Sequence, residues 1–170
     1  PLGHWVLLTA CRQARAWLDE GIDIGEIAVN ISALQFRQPE FAQSVHAILL
    51  ETGLPAARLE LELTESTIMH GADTSVITLA ELKRMGVKLA IDDFGTGYSS
   101  LAYLRRFPVD RLKIDRAFVA DVESDSDAAS LVASIISLGH SLGLKLVAEG
   151  VENSAQADFL RARECQRVQG

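Results

Sequence analysis

Long apolar segments are missing from this sequence of 170 residues, although 48% of its residues are hydrophobic. No uninterrupted apolar run approaches the roughly 20 residues that a membrane-spanning helix needs. The first residues show no signal-peptide pattern either. These absences argue against direct membrane insertion of this segment. We expect a soluble cytoplasmic protein, or the cytoplasmic portion of a larger protein that is itself membrane-anchored.

Cysteine is scarce, and its two positions, Cys11 and Cys165, are far apart. They show none of the short spacings typical of metal-binding cysteines, so we interpret them as reduced structural thiols. The four histidines are expected on helices or loops rather than at strand ends: His4, His46, His70 and His140. The sequence therefore gives little support to a zinc site built from cysteine and histidine.

Basic residues are outnumbered, with 16 Lys and Arg against 23 Asp and Glu and a net charge of -7. This balance argues against binding of a nucleic acid polymer, whose affinity comes mainly from Lys and Arg neutralising phosphates. A small phosphate ester held through metal ions remains compatible with it. Linkers, repeats and low-complexity stretches are also missing, and we expect residues 1–170 to form a single, partial barrel domain.

Six polar residues lie at or near the ends of apolar, strand-like runs: Asn30, Glu62, Asp92, Lys113, Glu149 and Gln169. In a TIM-type (β/α)8 barrel, side chains from several strand ends converge on one face, where the active site is built. Helical patterns separate the runs, as expected for a parallel sheet with right-handed crossovers. The sequence thus predicts an α/β barrel with a site at the carboxyl ends of its strands.

Alternation within the runs supports this fold. In the run 58–65 the leucines share one face, whereas Glu60 and Glu62 share the other. The run 87–93 likewise places Asp92 on the inner face. A half-exposed antiparallel sheet would also alternate, but several such runs at crossover spacing favour the barrel. We interpret Glu60 as a satisfied carboxylate of the barrel interior.

The helical patterns cover residues 3–21, 39–49, 73–84, 125–142 and 154–163, and a last strand begins near Gln166. Pro39 is expected at the first position of its helix, where proline is well tolerated. An eight-stranded barrel typically needs about 250 residues, whereas about six strands are predicted here. We therefore expect an incomplete barrel, truncated at both ends, from a longer protein.

Carboxylates that converge at a barrel mouth repel one another unless a cation neutralises them. Carboxylate and amide oxygens are ligands for Mg²⁺, Mn²⁺ or Ca²⁺. Asp92 and Asp93 follow one another at a strand-to-loop junction, where diverging side chains suit contact with two ions. Two ions about 3.5 to 4 Å apart activate water for in-line displacement at phosphorus. Lys113 is expected to stabilise negative charge on the phosphoryl group, or to form a purely structural ion pair with Asp115 or Glu149.

Five segments together resemble the bacterial EAL domain family: Val29-Asn30-Ile31-Ser32, Glu62-Leu63-Thr64-Glu65, the run from Asp92 to Leu101, Lys113-Ile114-Asp115-Arg116 and Val147-Ala148-Glu149-Gly150-Val151-Glu152. The resemblance covers essentially the whole chain. The Glu-Ala-Leu segment that names the family is absent, together with its metal-binding glutamate and a nearby phosphate-binding arginine. The chain as it stands is therefore expected to bind metal poorly.

The resemblance implies a phosphodiesterase that opens cyclic di-GMP to linear pGpG, uses Mg²⁺ or Mn²⁺ and is inhibited by Ca²⁺. It implies metal-site positions at Asn30, Glu62, Asp92, Asp93 and Glu149. Lys113 matches a lysine that holds the attacking water or the scissile phosphate. Glu149 also matches a proposed general base, and Gln169 a polar group that binds substrate near the catalytic centre.

The resemblance further implies that Glu65 anchors the loop from Asp93 to Ser100, which couples metal binding to a homodimer interface. Asp115 and Glu152 are placed in the shell that supports the metal ligands. Two other readings stay open. One is a catalytically inactive receptor that binds cyclic di-GMP and signals through a partner, and the other is an enolase-type barrel enzyme with acidic metal ligands and a lysine base.

Overall fold

The computed structural model describes residues 2–95 and 101–170, in which strands alternate with helices. The strands are β1 (Ile27–Asn30), β2 (Leu59–Thr64), β3 (Lys88–Phe94), β4 (Arg111–Ile114), β5 (Lys145–Ala148) and β6 (Arg167–Val168). The helices are α1 (Leu2–Asp19), α2 (Ala33–Phe36), α3 (Phe41–Thr52), α4 (Glu65–Met69), α5 (Ala72–Met85), α6 (Leu101–Leu104), α7 (Arg116–Val119), α8 (Ser126–Ser141) and α9 (Ser154–Arg161). A 3-10 turn covers Ala56–Arg58.

All the strands are parallel, and their order in the sheet is their order in the chain. The sheet is curled, as the approach of its two edges shows. Oε2 of Glu26, just before β1, lies 3.9 Å from Nη1 of Arg167 on the far edge strand. Right-handed crossovers pack the helices on the convex side of such a sheet. The observed architecture confirms the predicted TIM-type barrel, incomplete and with six strands in the part described.

The convex face of the sheet carries the hydrophobic core, as the alternation predicted. Leu59, Leu61 and Leu63 of β2 are at most 1% exposed. They belong to one cluster with helix residues such as Ile48 of α3 and Leu79 of α5. Burying a leucine side chain contributes about 1.5 to 3 kcal/mol, so this layer fixes the helices against the sheet.

The concave face is charged. Glu60, between the leucines, is buried and forms a salt bridge with Arg111 of β4, whose other Nη atom lies 2.9 Å from Glu26. A buried carboxylate is tolerated when a cation and hydrogen bonds satisfy it, and the pairing confirms our interpretation of Glu60. The inner face thus has one charged layer in the interior of the barrel, formed by Glu60 and Arg111. A second charged layer lies at the carboxyl ends of the strands.

Capped helices begin close behind several strand ends. The capping side chains accept hydrogen bonds from backbone N–H groups of the first turn: Ser32, Thr64, Asp115, Asp125 and Asn153. Such caps satisfy donors that have no partner within the helix. Because each chain segment turns sharply after its strand, the polar residues at the strand ends stay on the rim of the barrel.

The predicted place of Pro39 is wrong. Helix α3 begins at Phe41, and Pro39 lies in the turn before it. The backbone N–H of Phe41 donates to the carbonyl oxygen of Gln38 at 3.0 Å, which closes a four-residue turn with proline in its second position. Proline suits that position because its φ angle is already set, so the sequence signal was read as a helix start when it marked a turn.

The cysteines and histidines lie where they were expected. Cys11 and Cys165 are buried free thiols, and burial raises the pKa of the Cys11 thiol to about 11. The histidines lie on helices or directly after one: His4, His46, His140 and His70. None of the helices within residues 2–95 and 101–170 combines the length and apolar character needed to cross a membrane.

Candidate active site

Three carboxylates converge at the carboxyl ends of β3 and β5. Asp92 and Asp93 belong to β3, and Glu149 directly follows β5. One oxygen from each of the three lies within 4.8 Å of the others. Carboxylate oxygens at this spacing can share one cation. The structure therefore brings together three of the five predicted metal-site residues in one group.

A distortion at the end of β3 explains how two consecutive residues reach the same site. Successive residues of a regular strand point to opposite faces. Here the pairing of β3 with β4 shifts between Ile91 and Phe94, and Asp93 has a φ of 52°. This left-handed conformation is uncommon outside glycine, although aspartate tolerates it better than most residues. The bulge turns Asp93 towards Glu149 instead of away from it, a re-aiming that bulges next to active sites commonly achieve.

Lys113 of β4 occupies the centre of the acidic group. Its Nζ lies 2.6 Å from Glu149, 3.0 Å from Glu62 and 3.1 Å from Asp92. Lys113 and Glu62 meet across β3, where Ala90, the residue in register with Glu62, is small and fully buried. The structure thus contains the ion pair between Lys113 and Glu149 that the structural alternative predicted. The same ammonium also contacts Glu62 and Asp92, two further predicted metal ligands.

Burial and neighbouring charges shift the pKa values of the ionisable groups in this site. Burial alone would lower the pKa of the Lys113 ammonium, but hydrogen bonds to Glu149 and Glu62 outweigh it and the pKa is raised. Burial raises the pKa of Glu62 despite the opposing effect of Lys113. Burial also raises the pKa of Asp93, and a hydrogen bond with Asp115 and the charge of Asp92 add to the increase. Lys113 therefore stays charged among carboxylates that are short of positive charge.

One oxygen of Asp92 marks where a further cation fits. Oδ1 of Asp92 is buried and lacks a well-aligned hydrogen bond among the described residues, although Nζ of Lys113 lies 3.1 Å from it. An unsatisfied buried carboxylate oxygen is costly. A divalent ion held by Asp92, Asp93 and Glu149 would satisfy it, and an all-oxygen ligand set suits Mg²⁺, Mn²⁺ or Ca²⁺.

The other two residues at strand ends lie at the flanks of this group. Asn30 is exposed and pairs in register with Glu62 on the neighbouring strand. Gln169 follows β6 and lines the same cavity as Glu62 and Lys113. Its backbone carbonyl accepts a hydrogen bond from the N–H of Val151 at 3.1 Å. Both residues border the group, and their roles in metal or substrate binding remain predictions.

The predicted supporting residues occupy three different environments. Glu65 is buried, and its Oε2 accepts a hydrogen bond of 2.9 Å from the N–H of Gly95, directly after β3. Asp115 caps α7 and also contacts Asp93. Glu152 is exposed, and its backbone N–H donates to the side chain of Gln156. Residues 96–100, which make up most of the predicted loop, lie outside the described residues.

Two buried polar residues near the site were missed by sequence reasoning. Arg111 pairs with Glu60, and alternation could have revealed it, since each lies two residues before a site residue of its strand. Gln156 is 4% exposed in the first turn of α9. The Asn-x-x-Gln spacing from Asn153 to Gln156 is the available signal, because it is typical of a helix start.

The chain is similar to known proteins over its whole length. A family model described as "EAL domain" matches residues 1–170. The bifunctional diguanylate cyclase/cyclic di-GMP phosphodiesterase MucR of Pseudomonas aeruginosa is 52% identical over 169 residues, which are 99% of this chain and 25% of that protein. The cyclic di-GMP phosphodiesterase NbdA of the same organism is 44% identical over 169 residues, which are 99% of this chain and 22% of that protein.

Solved structures agree with this relationship. The structure named "PaMucR Phosphodiesterase, c-di-GMP complex" superimposes with a TM-score of 0.95 at 52% identity, and the match covers 99% of this chain and 68% of that one. The chain spans about a quarter of the length of the two curated relatives, at 25% and 22%. These matches confirm the resemblance drawn from the five sequence segments, and the chain belongs to the EAL domain family.

Proposed function

We propose that this chain is the catalytic domain of a phosphodiesterase that hydrolyses cyclic di-GMP to linear pGpG with Mg²⁺ or Mn²⁺. The observation that carries the proposal is the convergence of Asp92, Asp93 and Glu149 beside the buried ammonium of Lys113. The relatives suggest the substrate. MucR and NbdA are named cyclic di-GMP phosphodiesterases, and the matching MucR structure is a complex with that dinucleotide.

The residues present fit a divalent cation. Asp92, Asp93 and Glu149 would hold one ion, and Asn30 and Glu62 lie on the side where a second ion would find ligands. Such ions, when bound, supply Lewis acidity that activates the attacking water and offsets the charge on the phosphoryl oxygens. The buried Oδ1 of Asp92 supports this assignment, since it is the oxygen that still lacks a well-aligned hydrogen bond among the described residues.

Lys113 and Glu149 act on the reacting atoms in our proposal. The Lys113 ammonium, kept charged by its acidic neighbours, donates hydrogen bonds to the phosphoryl oxygens as negative charge grows on them. The water oxygen forms a new bond to phosphorus while the bond to one ribose oxygen breaks. Glu149, half-buried at the mouth, accepts a proton from that water. The ribose oxygen leaves as an alkoxide and becomes a hydroxyl by taking a proton from solvent water. Gln169, on the rim of the same cavity, contacts the substrate.

The remaining roles extend the same proposal. Glu65 holds the start of the loop from Asp93 to Ser100 through the N–H of Gly95. Asp115 and Glu152 support the turns that follow β4 and β5. We place the domain in the cytoplasm and propose that it forms a homodimer through the region 93–101, part of which lies outside the described residues.

The proposal is tested by chromatography of cyclic di-GMP and pGpG after incubation with Mg²⁺ or Mn²⁺, with this chain measured beside the chain extended by the Glu-Ala-Leu segment that it lacks. The variants are made in the extended chain. Asp92→Asn should lower kcat by at least about 100-fold, because it removes an anionic ligand. Asp110→Asn is the matched control. Asp110 pairs with Lys83 and accepts from the N–H of Leu89 at the amino end of the strands, away from the site.

Turnover at the wild-type rate by Asp92→Asn would overturn the metal assignment. An extended chain that binds cyclic di-GMP without opening it would instead establish the receptor. Loss of turnover in Asp92→Asn with normal turnover in Asp110→Asn is the result we expect.

A further inference from the structure

Gln156 is a buried side chain whose hydrogen bonds leave its own helix. It lies in the first turn of α9 and is 4% exposed. Its Oε1 accepts from the N–H of Glu152 at 2.8 Å, and its Nε2 donates to the carbonyl oxygen of Ala120 at 3.3 Å. A buried amide that satisfies both of its ends in this way is oriented in a single direction.

Helix capping does not account for these bonds. The cap of α9 is the side chain of Asn153, which accepts from the N–H of Gln156 at 2.9 Å. In a capping box the residue three positions into the helix bonds back to the N–H of the cap residue itself. Gln156 instead reaches the residue before the cap and a residue that follows α7. Its side chain therefore connects two separate turns of the barrel.

Those two turns follow the strands that carry Lys113 and Glu149. The turn 149–153 leaves β5, and the turn 115–120 leaves β4. They are close along their length, because the N–H of Glu149 donates to the carbonyl oxygen of Ile114 at 3.1 Å. A Cβ atom added to Gly150, which has a φ of 67°, would lie 2.5 Å from Cβ of Arg116. Gln156 joins the other ends of the two turns through its hydrogen bonds with Glu152 and Ala120.

We infer that Gln156 is a positioning residue that sets the carboxylate of Glu149 against Lys113 and towards Asp92 and Asp93. Glu149 directly follows the last residue of β5, so its direction depends on the turn that follows. Gln156 holds that turn through Glu152 and ties it to the turn after β4. The inference rests on the proposed function for the role of Glu149, and Gln156 itself touches none of the reacting groups.

The test compares three variants of this turn, and Glu149→Gln, with wild type, all in the chain extended by the Glu-Ala-Leu segment. Gln156→Met keeps the volume and removes both hydrogen bonds. Gln156→Glu keeps the acceptor for Glu152 and removes the donor for Ala120. Asn153→Ala is the matched control, because it loosens the start of the same helix and leaves the connection between the turns. Each is measured for Mn²⁺ affinity by titration, for kcat and KM with cyclic di-GMP, and for Tm.

Gln156→Met should weaken Mn²⁺ binding and lower kcat by about tenfold, as loss of residues that orient metal ligands commonly does, with KM within about twofold of wild type. Gln156→Glu should weaken Mn²⁺ binding by about threefold or more, since one of the two bonds is lost. Asn153→Ala should lower Tm but leave Mn²⁺ affinity and kcat near their wild-type values.

Glu149→Gln distinguishes a failure of the proposed role of Glu149 from a failure of the positioning role of Gln156. If it lowers Mn²⁺ affinity and kcat while Gln156→Met and Gln156→Glu match Asn153→Ala, Gln156 is a structural residue and the inference is overturned alone. Should Gln156→Met fail to fold, Gln156→Glu decides the matter, and wild-type Mn²⁺ affinity in that variant overturns the inference. If Glu149→Gln itself keeps wild-type metal affinity and turnover, the proposed role of Glu149 fails and the inference fails with it.

Discussion

At the scale of single residues, Lys113 is the cation on which the acidic site depends. It contacts Glu62, Asp92 and Glu149 while being 5% exposed. Removing one partner from a buried group of ion pairs leaves uncompensated charge, which usually costs about 3 to 5 kcal/mol. Lys113→Met should therefore lower the free energy of unfolding by an amount in that range when divalent ions are chelated, and should also reduce turnover.

Mn²⁺ should raise the Tm of Lys113→Met by more than it raises that of wild type, because the bound ion replaces the missing positive charge and stabilises the folded state. Thermal unfolding with chelator and with Mn²⁺ measures both effects. Lys83→Met serves as the control, since Lys83 forms its ion pair with Asp110 away from the site. Equal Mn²⁺ shifts in Lys113→Met and wild type would contradict this account.

Cys11 gives a prediction about pH. Its thiol is fully buried in α1, and burial raises its pKa from an ordinary value of 9.0 to about 11. The folded state therefore keeps its proton to higher pH than the unfolded state does. The stability from this group is complete below pH 9 and is lost between pH 9 and 11, at no more than about 1.4 kcal/mol per pH unit.

Urea unfolding of wild type and Cys11→Ala across that interval measures the effect. The stability of wild type should fall more steeply than that of the variant as the pH rises. A thiol reagent at pH 8 should label Cys11 only after unfolding, because the thiolate is the reactive form. Parallel pH profiles, or rapid labelling of the folded protein, would show that the thiol is accessible.

At the scale of elements, the end of β3 shows where sequence reasoning stops. Alternation predicted that Asp92 faces inward, and it does. Alternation also implies that Asp93 points outward, whereas the register shift and the φ of 52° bring it to the same group. A bulge depends on how neighbouring strands pair, and a single strand carries no clear local signal for it. The convergence of strand-end carboxylates was predictable, but alternation alone did not predict that Asp93 joins Asp92 in the group.

The link between α4 and the end of β3 can be tested through Glu65. Its Oε2 accepts from the N–H of Gly95, the residue where the loop to Ser100 begins. Glu65→Ala should lower turnover by about tenfold, because residues that orient a metal site commonly have effects of that size. Glu65→Gln keeps an acceptor oxygen and should retain much of the activity. Steady-state kinetics with Mn²⁺ measure kcat for both variants. A wild-type kcat in Glu65→Ala would contradict the anchoring role of Glu65.

Packing of α8 on β5 depends on a glycine within the helix. A Cβ atom on Gly139 would lie 2.5 Å from Cδ2 of Leu146, which is fully buried. Alanine gains about 1 kcal/mol over glycine in a helix, but overpacking a core commonly costs about 1 to 3 kcal/mol. Gly139→Ala should therefore destabilise the protein by about 1 kcal/mol, as measured by urea unfolding.

The exposed Ser137 of the same helix supplies the control, because Ser137→Ala adds helix propensity without a steric clash. In a Leu146→Val background the same Gly139→Ala change should cost less, since the clashing methyl groups are gone. If the effects of Gly139→Ala and Leu146→Val on the free energy of unfolding are additive, the alanine at position 139 does not clash with Leu146.

At the scale of the whole molecule, the barrel was predictable because its signals repeat. Apolar runs with polar ends recur at crossover spacing, and helix starts such as that of α8 fall within a residue of their predicted place. The particular approach of Glu26 to Arg167 was not predictable, because it depends on small twists summed over the whole sheet. Alternation could have placed Arg111 and Glu60 on the same inner face, but that the two side chains form a salt bridge depends on the twist of the sheet between β2 and β4.

The order of strands in the sheet also determines when the site can exist during folding. Each strand pairs with its neighbours in the chain, so the sheet can grow one βα unit at a time from local contacts. Glu62 and Asp92 arrive with the second and third strands, before the lysine that compensates them, and Glu149 follows the fifth. A chain emerging from the ribosome therefore passes through a stage in which Glu62 and Asp92 are present but Lys113 is not. We expect catalytic competence to be a late event of folding, acquired only after β5 has docked.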